Sequence, residues 1–456
     1  WLHGIVYGPQ TRISLADLRA RLPKELPIRH YPDITHTRQS QYPLPDWDAA
    51  WALTNSREPV NPRPVDQVKI FRAQQRHTIG FITYSEGCND DVNKIVWSAL
   101  GWRQETPVAS ILRDYSRYFI GPEMEDDFAQ ALLGLERNWR GPALTNSQVE
   151  VTLSQVRALE RRATPAQLLN WRFQQILYRA YYDAYVQRRL LHESEVEARA
   201  MDVLRQAPAV GAEEAMRRAA RILEESELRP AQDLRLRIFQ LAEALFQSIR
   251  MQLSVSLYRG MSGRGNTLDS LDVPLNSRVW LRDQFARIAR LDSEKARQSE
   301  IARIVNWKDP GPGGFYDDLG NPAGQPHLVP GAGFEEDPQY FKSPLNFFNP
   351  AQRGPKTWWD QAITFFEQPL ALRYENLDPR AGYRVRVVYG GGPVRLEAGG
   401  VEIHGYIDKP FEALEYDIPE TAIRSGALTL QWNRPPGGGG AGRGCQVAEV
   451  WLIKKR

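Results

Sequence analysis

The feature that most constrains this chain is the alternation of strand-like and helix-like patterns across its first hundred residues. "WLHGIVYGP" has the apolar look of a strand. "SLADLRARLP" follows with helical spacing, Ser14 in N-cap position and Asp17 three residues on. "LPIRHYPDIT" reads as a second strand and runs into the polar, Pro-rich "HTRQSQYPLPDWD". "VDQVKIFRAQQRH" then reads as a helix, and "TIGFITYSEG" as a buried strand. This order implies parallel strands with helices outside them. In such folds functional groups gather at the carboxyl ends of strands. Asp33, His36, Glu86, Asp90 and Asp91 all fall there.

The pattern then changes. In 231–255, Leu234, Ile238, Leu241, Leu245, Ile249 and Leu253 recur at helical spacing, and "QLLNWRFQQILYRAYYDAYVQRRLL" is a second long amphipathic run. After a further helix around 279–304 comes a Gly-, Pro- and Asp-rich stretch with little periodicity. The last block alternates in short runs such as "YRVRVVYG" and "QVAEVWLIKK", the mark of an antiparallel sandwich. The expected fold class is multidomain: α/β over 1–103, an α-helical domain over 104–305, an extended loop region over 306–355 and a β-sandwich over 356–456.

Composition narrows the function. At 456 residues the chain is too long for one core. With 58 basic and 55 acidic residues its charge is close to balanced, which argues against a general nucleic-acid binder. No apolar run approaches the length of a membrane span. Thirteen Trp and eighteen Tyr exceed ordinary usage. Most fill cores, but flat aromatic faces also stack on sugar rings. Two cysteines, Cys88 and Cys445, exclude a disulfide framework and a Cys-based zinc site. There is no phosphate-cradling GxxxxGK[ST] motif and no G-x-S-x-G elbow.

"SEGCNDDVNK" gathers the densest set of ionisable groups. Glu86, Asp90 and Asp91 suit acid–base work on a glycosidic bond, which needs two carboxylates about 5–10 Å apart. Asp90 and Asp91 also suit the start of a helix running toward "IVWSALGW", where acids favour the dipole. Asp33 and His36, flanked by Tyr31, either bind sugar hydroxyls or lock the loop. Arg57, Glu58, Asn61 and Arg63 read as a brace for a Pro-rich loop, with Arg57 also able to bind a substrate carboxylate. Asp309, Asp317 and Asp318 offer hard oxygen ligands that suit calcium, at a spacing unlike an EF-hand. His327 reads as a packed loop residue.

"WLHGIVYGPQ", "IRHYPDITHT" and "TIGFITYSEGCNDDVNKIVWSALGW" together resemble strands six to eight of the (β/α)8 barrel in glycoside hydrolases. The similarity is to O-GlcNAcase/hyaluronidase-type hexosaminidases and, more loosely, to α-glucuronidases. "PVASILRDYSRYFIGPEMEDDFAQALLGLERNW" is similar to the helical segment trailing such barrels, and the carboxyl-terminal block to an accessory sandwich. The resemblance implies a glycan substrate, Asp33 on sugar hydroxyls, and Ser85, Glu86 and Asn89 in a polar turn near the sugar. It places the main catalytic acid pair upstream of residue 1, leaving Glu86 as the candidate within this chain. The barrel would then be completed by an upstream part of the same precursor or by a second chain. The expected protein is secreted or periplasmic, needs no cofactor beyond possible calcium, and binds substrate through Tyr31, Asp33, His36, Arg57, Glu86, Asn89 and Asp90. The competing expectation is a non-catalytic carbohydrate-binding or structural protein that retains the architecture, since fold does not fix function.

Overall fold

The computed structural model describes residues 2–9, 11, 13–336, 345–348 (backbone only), 354–423, 425–437 and 443–455. It combines helices with one parallel and two antiparallel sheets. Two compact units emerge: Trp1–Gln187 with Gln232–Asp272 and Pro330–Leu345, and Arg188–Ala231 with Val273–Val329 and Asn346–Arg456. Among the described residues no helix is long and apolar enough to cross a membrane.

In the first unit, strands β1 (Ile5–Tyr7), β2 (Ile28–His30) and β3 (Gly80–Phe81) form a parallel sheet in that order. Tyr7 pairs with His30, and His30 with Phe81. Helix Leu15–Arg21 crosses between the first two strands, and Ser14 Oγ caps it by accepting from Asp17 N at 3.0 Å. Helix Pro64–Gln74 precedes the third strand and starts on a proline, whose missing N–H costs nothing in a first turn. Alternation fixes the two faces of the sheet. Tyr7, Ile28 and His30 are buried on one, with Leu15 packed on Tyr7 and Ile28, and Trp97 edge-on to His30 at 5.7 Å. Val6 and Ile82 lie on the other, 64% and 53% exposed. A parallel sheet is ordinarily covered on both faces; here helices cover one.

The β/α ladders are shorter than the sequence pattern suggests, because each chain leaves the sheet after two or three residues. One further parallel bridge, Asp33 to Tyr84, carries the pairing onto the polar segments beyond.

The helical stretch 104–305 does not behave as one domain. Its residues up to Gln187, together with helix Gln232–Ile249, belong to the first unit. Val196, Leu204, Ala215, Met216, Leu281, Phe285 and Ile301 form a separate apolar cluster in the second. The physical reason is that helix Trp171–Leu204 is continuous but has different packing partners along its length.

The second unit also holds the sandwich. Strands are numbered on from above: β4 (Phe315–Asp318), β5 (Leu345–Phe348), β6 (Asp360–Phe365), β7 (Leu370–Tyr374), β8 (Tyr383–Tyr389), β9 (Val394–Ala398), β10 (Val401–Ile407), β11 (Ala413–Ile418), β12 (Leu428–Asn433) and β13 (Arg443–Lys454). One sheet runs β10-β9-β12-β7 and the other β11-β8-β13-β6-β5. Leu370, Leu372, Val385, Val387, Leu396, Leu430, Trp432, Val450 and Leu452 pack into a common core between them. The stretch 306–355, expected to be extended loop, contributes β4, which pairs with β13 from Asp318–Glu449 to Phe315–Leu452. Such a strand is set by a partner more than a hundred residues away, so local composition hides it. Residues 337–344 and 349–353 of that stretch lie outside the described residues.

Candidate functional site

Beyond the carboxyl ends of β2 and β3 the chain folds its polar residues into one linked array. The Asp33–Tyr84 bridge brings the two strand exits side by side. Asp33 then turns the backbone by accepting from the N–H groups of Thr35 (3.1 Å) and His36 (3.2 Å). That turn aims the His36 ring between two carboxylates: Nδ1 lies 2.8 Å from Asp33 Oδ2 and Nε2 lies 3.0 Å from Glu58 Oε1. The Tyr84 ring stacks on His36 with centroids 5.6 Å apart.

Carboxylate oxygens at both ring nitrogens favour the protonated form of His36, which donates from each. Burial opposes that charge, but the bonds to Asp33 and Glu58 outweigh it and raise the His36 pKa. Burial likewise pushes Asp33 up, while the His36 ring and the His36 and Thr35 N–H groups hold it below its usual value. The pair is a charged lock, unsuited to abstracting a proton.

The array continues outward. Arg264 Nη1 lies 3.3 Å from Glu58 Oε1 and 3.2 Å from Glu86 Oε1. Tyr84 donates its hydroxyl to Glu86, and this bond is the main reason its phenol is pushed up to about 12. Charges therefore alternate from Asp33 through His36, Glu58 and Arg264 to Glu86. The inner end is buried, whereas the Glu86 and Arg264 side chains are 22% and 46% exposed.

Asp90 sits beneath this rim. It occupies the N-cap position of helix Asp91–Trp102, yet its carboxylate makes no cap. It accepts instead from the hydroxyls of Thr35 and Ser85 and from Glu86 N, with Lys94 Nζ at 3.2 Å. Burial raises its pKa against those bonds. Asp91 faces Arg172 and Tyr115, at 2.8 and 2.9 Å, and is apart from the array. Asn89 Nδ2 donates to the Glu58 carbonyl at 2.5 Å and so braces the loop that carries Glu58. Tyr31 packs edge-on to Tyr84 at 5.6 Å. Arg57 Nη2 donates to the Gln39 carbonyl at 3.3 Å, while its buried Nε has no hydrogen-bond partner among the described residues. Asn61 and Arg63 face inward: Asn61 donates to the Thr35 carbonyl, and Arg63 to Asp66 and the Tyr42 carbonyl.

Arg264 and the linking role of Glu58 are missed by sequence reasoning. Glu58 reads as the natural partner of adjacent Arg57, but its carboxylate pairs with His36 and with Arg264, far along the chain. The available signal is Arg264's setting between Gly263 and Gly265, both at positive φ (79° and 69°). A Cβ on Gly265 would come within 3.2 Å of the Glu58 carbonyl oxygen.

One ligand atom each from His36, Glu58 and Glu86 lie within 4.8 Å of one another, a group able to hold a metal ion. The Arg264 guanidinium already supplies positive charge between the two carboxylates. This geometry can orient a polar ligand, and it does not present Glu58 and Glu86 as acid and nucleophile. Asp309, Asp317 and Asp318 form no comparable group among the described residues. Asp317 takes the His327 ring and the Tyr374 hydroxyl (3.0 and 2.9 Å), and Asp309 takes Gly311 N. Asp318, next along the strand and so on its other face, is pushed to about 7 by burial and then by Glu449's charge.

No family model matches the chain, and no curated protein does. Among solved structures it is similar to a 4-O-methyl-α-glucuronidase of family GH115 with specificity for decorated arabinogalactans, at 9% identity and a TM-score of 0.29. The match covers 97% of this chain and 53% of that one, so the chain spans about half of its length.

Proposed function

We propose that this chain is the portion of a glycoside hydrolase that supplies the sugar-binding rim, in a (β/α)8 barrel completed by an upstream segment or a second chain. The observation that carries the reading is the alternating array Asp33–His36–Glu58–Arg264–Glu86 at the carboxyl ends of parallel strands. Its inner members are fixed by buried bonds, and its outer members offer the donors and acceptors that sugar hydroxyls require. Tyr31 and Tyr84 supply aromatic surface beside it. Arg57, whose charge lies near His36, adds positive potential that favours an acidic group on the glycan. The open sheet face bearing Val6 and Ile82 fits the interior of a barrel awaiting its remaining strands.

The same geometry favours binding over chemistry within this chain, because Arg264 bridges Glu58 and Glu86. Hydrolysis is then assigned to carboxylates outside it. The test is a glycan-array screen of the full chain followed by titration of the strongest glycan retained. Arg264→Ala and Glu86→Gln are each expected to weaken binding at least tenfold, while Asp91→Asn leaves it unchanged. Equal loss in all three variants, or none, would remove the array from the binding site.

A further inference from the structure

The second unit contains a cavity of about 630 Å³ whose lining includes Trp280, Trp307, Lys308, Lys356, Arg205 and Glu197. Its volume falls within the roughly 300–1,000 Å³ of small-ligand pockets. Two features set it apart from a packing void.

The first is a locked aromatic wall. Trp307 Nε1 donates to both oxygens of buried Glu449, at 3.2 and 3.3 Å. Trp358 Nε1 and the Tyr316 hydroxyl bond the same carboxylate. Trp280 stands edge-on to Trp307 with centroids 5.4 Å apart. The Trp307 indole is therefore held by its own donor, and a flat ligand meets a surface that has no rotamer entropy left to lose.

The second is positive charge without an ion-pair partner. Lys308 and Lys356 form no ion pair within 4 Å among the described residues, although both lie near enough to buried Asp318 to pull on its carboxyl, and Lys356 Nζ donates to the Leu275 carbonyl at 3.0 Å. Arg205 has Asp202 as its partner. The lining carboxylates are already engaged by backbone: Glu197 accepts from Ser277 N and Asp309 from Gly311 N. A ligand that satisfies this lining has a flat, weakly polar face for the indoles and an anionic group for the two ammoniums.

We propose that this cavity binds an acidic saccharide, with a sugar face against Trp280 and Trp307 and a carboxylate or sulfate at Lys308 and Lys356. The site stands on its own lining and does not depend on the strand-end array.

The experiment is calorimetric titration of the full chain with three disaccharides: one bearing glucuronic acid, the same with its carboxylate reduced to an alcohol, and a monosulfated one. At least one anionic sugar is expected to bind tenfold or more tighter than the reduced sugar; which one identifies the anion. Lys308→Glu, at an exposed position, is expected to weaken the anionic sugar tenfold or more without moving the reduced one. Trp280→Ala is expected to weaken both. The same titrations are repeated in the Arg264→Ala variant, whose strand-end array is disabled, so that binding remaining there reports this cavity alone and failure of either site is read separately. Equal affinity for anionic and reduced sugars, insensitivity to Lys308→Glu, or no saturable binding would overturn the proposal.

Discussion

His36 is held in place by two acidic neighbours, and that gives it a thermodynamic signature. Its folded pKa lies above 6.5, so the stability it contributes is complete below that value and is lost as pH rises through the folded one. Asp33 lies below 3.8, so its contribution holds above that value and is lost as pH falls through the folded one. His36→Ala leaves two buried carboxylates facing each other and is expected to cost about 3–5 kcal/mol. Urea unfolding should show this gap widest between about pH 4 and 6.5, the window those two shifts define, and narrower on the alkaline side. Asp318 is the opposite case. Its folded pKa is raised to about 7, so it favours folding fully below 3.8 and progressively less as pH rises through 7. Asp318→Asn should therefore flatten the decline in stability from pH 4 to pH 8, read from melting temperatures across that range. An unchanged slope would show that Asp318 titrates normally.

At the scale of elements, β1, the helix after it, β2, helix Pro64–Gln74 and β3 were legible because each carries its own local signal: the Ser14 cap, the proline-led start of Pro64–Gln74 and the apolar strand runs. The short helix Ala49–Thr54 between β2 and Pro64–Gln74 was not legible. The clustering of Asp33, His36, Glu86 and Asp90 at the strand exits was legible as well, from the rule that parallel strands present their carboxyl ends together. What closes the array was not. Arg264 reaches Glu58 and Glu86 through tertiary packing that no period in the sequence encodes. The strand Phe315–Asp318 was hidden for the same reason, since its partner is at the carboxyl terminus. The two faces of the parallel sheet make a further prediction. Ile28→Ala, on the covered face, should cost about 2–5 kcal/mol in chemical denaturation. Val6→Ser and Ile82→Ser, on the open face, should stay within about 0.5 kcal/mol. A large cost at Val6 or Ile82 would mean that this face is covered within the chain.

At the scale of the whole molecule, binding and bond cleavage fall to different parts. In the strand-end array Arg264 lies against both Glu58 and Glu86, so neither carboxylate stands free toward a glycosidic bond. Hydrolysis requires two free carboxylates facing the glycosidic bond, and under the proposed function these belong to the part that completes the barrel. The most direct measurement incubates the full chain alone with the glycan it retains most strongly and follows release of reducing sugar alongside binding. The expected result is saturable binding, weakened by Arg264→Ala, with no release above the uncatalysed background. Release by this chain alone, abolished by Glu86→Gln, would contradict the proposal and make Glu86 a catalytic residue.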